Sequence, residues 1–153
     1  MYTRIVVPLD GSGLAEAAVV DAQYLSTVTG APLHLVRVID MTQKGGSYGL
    51  PGDPAHLAES INAEIAAARS YLEGFEQQLS ARHLTVTTEV RSGEIVDQLL
   101  EVTEPGDVVV MTTHGRSGLT RWFMGSVAEA FLRYATVPVL LIRSQPHAGE
   151  PPR

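Results

Sequence analysis

Cysteine is absent from the 153-residue chain, which removes disulfide frameworks, thiolate zinc sites and thiol nucleophiles together. Lysine is nearly absent too: the single one, Lys44, precedes Gly45-Gly46 instead of following a glycine loop. The Gly-x-x-x-x-Gly-Lys-Ser/Thr phosphate loop is therefore missing. Arginine and lysine number 11 against 17 acidic residues, a formal charge of −6. Affinity for a phosphate backbone comes from clustered basic residues, so general nucleic-acid binding is not expected. No apolar run approaches the length of a membrane span, and no membrane association is expected. The opening M-Y-T-R-I-V-V-P-L-D places a proline and an aspartate where a signal peptide needs a longer apolar core, which gives the expectation of a cytoplasmic protein. Enzyme motifs are lacking in the same way. There are no paired carboxylates of defined role, no Gly-x-Ser-x-Gly elbow and no Ser/His/Asp set that the sequence alone assembles. Gly11-x-Gly13 opens a dinucleotide fingerprint, but Glu16 stands where its third glycine belongs.

What is present is a globular composition, 44% hydrophobic and 18% charged, on a length that suits one core. Thr3 to Leu9 reads as a central strand, with Pro8 near its end because proline cannot donate to a sheet ladder. Asp10-Gly11-Ser12-Gly13 is a turn, and Ser12 is an N-cap candidate for a helix from Leu14 to Thr29. Pro32 to Ile39 is a second strand, whose imperfect alternation suggests shallower cover than the first. His34 has no second histidine at ligand spacing and reads as a packed or partly exposed strand residue, not a metal ligand. Asp40 to Asp53 holds four glycines and a proline, either a lid or a plain crossover. Leu57, Ile61, Ile65, Leu72, Phe75 and Leu79 make Ala55 to Ala81 an amphipathic helix. Leu84 to Val90 is an edge strand, and Glu94 to Thr103 a third helix. Asp107 to Thr112 is a β-branched apolar run, as expected of a strand covered on both faces. A fourth helix follows Gly125-Ser126, then a fifth strand from Val137 to Arg143. The domain is expected over 1–144, with a disordered polar tail over 145–153.

Five strands alternating with four helices specify an α/β fold, a doubly wound parallel sheet of three layers. In the order 3-2-1-4-5, the loop at Asp10 and the loop from Thr112 to Ser126 face one another across the switch point, where such sheets bind ligands. The second of these loops carries Gly115 and Gly118, and the helix after it begins at Gly125-Ser126. Free N–H groups and the dipole at a helix start attract anions, and glycine lets a phosphate approach the backbone. The alternative is an ordinary surface loop that ends in a serine N-cap. The fifth strand is an apolar edge in this order, so a second copy is expected to cover it about a two-fold axis.

These residues resemble the universal stress protein family over essentially the whole chain to Arg143. The first strand ends in Pro-x-Asp-Gly-Ser and the second in Val-Ile-Asp. After Gly115 come R-S-G-L-T-R-W-F-M, nine residues, and then Gly125-Ser126, which is the spacing of the family's nucleotide signature. One departure is Thr112, which occupies the position of the signature's first glycine, where its side chain either crowds a nucleotide or turns away. The resemblance implies a Rossmann-like fold, related to the adenine nucleotide alpha hydrolases, and a nucleotide site of Pro8, Asp10, Gly11, Ser12, Val38, Met111, Thr112, Gly115, Arg116, Gly118, Gly125, Ser126 and Val127. Asp10 would contact the ribose or adenine end, Val38 would line the adenine pocket, Thr112, Gly115, Gly125 and Ser126 would hold ribose and phosphates, and Met111 and Val127 would complete the walls. It implies ATP with Mg2+ or Mn2+ on the phosphates, no direct metal ligand from the protein, and a homodimer. The function implied is a nucleotide-responsive stress-response module. The alternatives are a slow ATPase, a nucleotide-dependent oxidoreductase, or a member that binds AMP, cyclic AMP or only protein partners.

Overall fold

A computed structural model of the chain describes residues 1–42, 54–113 and 125–143. The expected lid within Asp40 to Asp53 lies largely outside these residues. So do the tail over 145–153 and the site candidates Gly115, Arg116 and Gly118.

The described chain alternates strand and helix throughout: β1 (Arg4–Pro8), α1 (Gly13–Thr29), β2 (Leu33–Asp40), α2 (Pro54–Ser80), β3 (Val86–Gly93), α3 (Ile95–Val102), β4 (Asp107–Thr113), α4 (Ser126–Tyr134) and β5 (Val139–Arg143). The strands form one sheet in the order β3-β2-β1-β4-β5, and every pairing is parallel. Period-two alternation sorts the apolar side chains into two cores. Ile5, Val7, Leu9, Leu33, Leu35, Val108 and Val110 pack against α1 and α2 through Ala18, Val19, Ala22, Leu72 and Leu79. Val6, Val36, Val109 and Met111 pack on the opposite face against α3 and α4, through Leu99, Val102, Ala128 and Phe131. Phe131 is fully buried, and truncating such a side chain to alanine typically costs about 3–5 kcal/mol.

Two expectations need correction. The second strand is as deeply covered as the first: Leu33, His34, Leu35, Val36 and Ile39 are all buried. Its polar positions disguised this, but β2 lies between β1 and β3, and His34 is satisfied by side chains of β3. The third strand is also displaced, running to Gly93 instead of Val90, because β2 pairs with it over its whole length from Leu33↔Val86 to Asp40↔Gly93. The other boundaries shift by at most two residues, as fraying ends do.

Candidate functional site

At the carboxyl ends of β1 and β4 a cleft of about 200 Å3 opens where the strand order reverses. From the β1–α1 turn it is lined by Pro8, Leu9, Asp10 and Ser12, and from the start of α1 by Leu14 and Ala15. Val36 and Val38 come from β2, Ile95 and Leu99 from α3, Met111 and Thr112 from β4. Gly125, Ser126, Val127 and Ala128 come from the head of α4. Thr112 at the end of β4 and Gly125-Ser126 at the head of α4 thus line the same cleft as the Asp10 turn.

The turn is held by its own polar groups. Asp10 Oδ1 accepts from the Ser12 backbone N–H at 2.8 Å and from the Ser12 hydroxyl at 2.6 Å. Ser12 Oγ in turn accepts from the Ala15 N–H at 3.1 Å and caps α1, a cap usually worth about 1 kcal/mol. Oδ1 of Asp10 is thus committed within the turn, and Oδ2 has no such tie within it. An ionised carboxylate only accepts, so this position suits a ligand group that donates, such as a hydroxyl or an amine.

Gly11 has φ +86°, a region in which a Cβ is strained. It is not in the cleft wall. A Cβ built on it would meet the Arg37 guanidinium, with Nη1 at 3.1 Å. Across the cleft, α4 begins at Gly125, which has no side chain to cap the helix. The first-turn amides therefore lack the side-chain partner that a serine or aspartate N-cap supplies, and they stand at the positive end of the helix dipole.

Val109 and Met111 belong to the core on the α3/α4 side, and Val108 and Val110 to the core on the α1 side. Alternation places Thr112 on the side of Val108 and Val110, and it lines the cleft together with Met111. Among the described residues no group of three His, Asp or Glu side chains is assembled to hold a metal ion. The lining that sequence reasoning missed is apolar: Leu9, Leu14 and Ala15 beside the first turn, and Val36, Ile95, Leu99 and Ala128. Ile95 and Leu99 carried a signal, the inner-face periodicity of a helix, but that signal reads equally as core.

The fold and the cleft define a doubly wound α/β protein with a cleft at its switch point. Residues 1–143 match the profile of the Universal stress protein family, and the chain belongs to that family. It is 27% identical to universal stress protein MJ0531 of Methanocaldococcus jannaschii, over 94% of this chain and 83% of that one. Among solved structures it is similar to universal stress protein UspA from Lactobacillus plantarum, with a TM-score of 0.76 and 26% identity over 93% of this chain and 98% of that one. A universal stress protein solved in complex with cAMP shares the fold, with a TM-score of 0.66 and 21% identity over 92% of this chain and 97% of that one.

Proposed function

We propose that this chain binds an adenine nucleotide in the β1–β4 cleft, ATP with a divalent cation on its phosphates, and acts as a nucleotide-responsive regulatory module of the stress response. The observation that carries the reading is the junction of an apolar slot with an uncapped helix start. Val36, Val38, Ile95, Leu99 and Met111 offer apolar walls to a planar base, Asp10 accepts from a ribose hydroxyl, and the amides at Gly125, Ser126 and Val127 face the phosphates. Charge-assisted hydrogen bonds contribute roughly 1.5–3 kcal/mol each. After the cost of ordering the ligand, a dissociation constant on the order of micromolar follows. The reading includes a cytoplasmic location, and hydrolysis that is slow or absent for want of a phosphate-loop lysine.

A second reading is a nucleotide of lower charge, AMP or cyclic AMP. Asp10 is the one charged side chain among the described residues that line the cleft, and a structural neighbour is a complex with cAMP. Titration calorimetry with Mg·ATP, AMP and cAMP separates the two readings. No heat from any of them at near-millimolar concentration would refute both.

The reading also includes a homodimer through β5. Among the described residues this strand pairs only with β4, and Leu140 on it is exposed. A second β5 pairing about a two-fold axis covers both edges at once. Sedimentation equilibrium should give a dimer at micromolar concentration, and a monomer there would count against it.

A further inference from the structure

Beneath the β1–α1 turn lies a set of side chains that the cleft does not use. Arg37 points from β2 to the α1/α2 side, the same side as Leu33 and Leu35, and is half-buried. Its guanidinium carbon lies 5.0 Å from the centroid of the Tyr71 ring. On another side the same group approaches Gly11 so closely that a Cβ there would be 3.1 to 3.3 Å from Nη1, Cζ and Nη2. Tyr71 is itself fixed, edge-on to Phe75 at 5.3 Å, with its hydroxyl donating to Glu16 Oε1 at 2.9 Å. Glu16 stands in the first turn of α1, and its backbone N–H donates to the Ser12 carbonyl. The contacts close a ring that runs from Asp10 to Ser12, along α1 to Glu16, across to Tyr71 and Arg37, and back to Gly11.

We propose that Arg37 is a positioning residue for the nucleotide site, holding the Asp10-Gly11-Ser12 turn, and through it the Asp10 carboxylate, in its ligand-accepting orientation. The inference rests on the nucleotide reading of the cleft. A guanidinium is flat and stacks on an aromatic face, and so fills the narrow gap between the Tyr71 ring and the Gly11 backbone. No ammonium has that shape. Gly11 is favoured by its positive φ, and a side chain there would also press on the guanidinium. Tyr71 keeps its proton throughout the working pH range, because burial and then the bond to Glu16 push its phenol up, so its tether to α1 does not depend on pH.

Two substitutions and two readouts test this. Arg37→Lys keeps the charge and loses the plane; Tyr71→Phe keeps the ring and loses the tether to Glu16. With Mg·ATP as the titrant, Arg37→Lys should weaken binding about tenfold and Tyr71→Phe about threefold. Arg37→Lys combined with Asp10→Asn should bind no more weakly than Asp10→Asn alone, since the arginine acts through that carboxylate. Independently of any ligand, the Ser12 and Ala15 amides should exchange with solvent at least fivefold faster in Arg37→Lys, while the Val7 and Val110 amides are unchanged. Wild-type affinity in Arg37→Lys, losses that add to that of Asp10→Asn, or unchanged Ser12 and Ala15 exchange would each overturn the proposal. If the wild type binds no adenine nucleotide, the nucleotide reading fails by itself, and the exchange rates alone decide whether Arg37 holds the turn.

Discussion

The two ends of the sheet handle polar groups in opposite ways. At the amino end, Asp107 opens β4 with only 1% of its surface exposed, yet its carboxylate is saturated. It accepts from Arg4 Nη2 at 2.7 Å and Nε at 3.2 Å, from the Glu104 backbone N–H at 2.9 Å and from the Thr3 hydroxyl at 3.4 Å. Arg4 also donates to the Val102 carbonyl at 2.9 Å. Nearby, the His34 ring lies 2.8 Å from the Thr87 hydroxyl and 3.2 Å from Glu89 Oε2. At the carboxyl end, among the described residues, Asp10 ties down one oxygen within its turn, and α4 starts without a side-chain cap. A buried charge without a partner costs several kcal/mol, so the pairing at the closed end serves stability. At the open end, among the described residues, one Asp10 oxygen and the α4 amides keep hydrogen-bonding capacity at the mouth of a cleft.

The sharpest way to break that contrast is to open the closed end. Asp107→Ala strands a largely buried arginine and the Glu104 amide, and should cost about 3–5 kcal/mol, a large share of the 5–15 kcal/mol typical of a domain. Urea unfolding measures it, and a loss below about 1 kcal/mol would show that Arg4 finds other partners. Nucleotide affinity of the folded variant should be unaltered. The pair also fixes an acid limit. Burial alone would raise the Asp107 carboxyl, but the hydrogen bond from Arg4, the Glu104 amide and the arginine's charge together hold it below the usual carboxylate value. A depressed folded value gives stability that is present above the unfolded value, near 3.9, and lost as pH falls through the folded one.

The complementary experiment closes the open end. Gly125→Val puts a branched side chain where a phosphate would approach the head of α4. Gly125 has φ −56° and ψ 145°, which valine adopts without strain. Binding of Mg·ATP should weaken at least tenfold, about 1.4 kcal/mol, while the urea midpoint stays within error. Equal affinity in the two proteins would remove α4 from the site.

The asymmetry between the ends also governs what could be read from the residues. β1 and β4 announce themselves as β-branched runs, and strand alternation with helices then leaves few topologies open. The cleft was legible because its positions follow from strand ends and helix starts, features that are local in sequence. The closed end was not, since Arg4 and Asp107 are 103 residues apart and His34 meets Glu89 across 55. For the same reason the depth of β2 was hidden: imperfect alternation suggests shallow cover until the partners of His34 on β3 and of Arg37 on α2 are in place. Ile95 and Leu99 were legible as apolar but not as cleft walls, because α3, only eight residues long, serves the core and the site with one face.

The smallest effect expected belongs to His34, and it tests whether the closed end is closed to protons as well. Burial first, and then the charge of Arg4, lower its affinity for a proton, outweighing the Glu89 hydrogen bond and charge and the more distant Asp107, so the ring's pKa lies below the ordinary histidine value. In the neutral ring, Nε2–H donates to Glu89 and Nδ1 accepts from the Thr87 hydroxyl, which satisfies both nitrogens. As pH falls from 7 through about 6.5, the unfolded chain takes up a proton here that the folded chain does not. Stability contributed by His34 is therefore full above 6.5, declines below it, and levels off once the folded ring is also protonated. In His34→Gln, whose amide can still donate to Glu89, this part of the slope between pH 7 and 5 should vanish, while the pH profile of nucleotide binding stays as in the wild type. An identical stability slope in the two proteins would mean that the ring titrates alike folded and unfolded. A binding profile that moved with the substitution would mean that the two ends of the sheet are coupled.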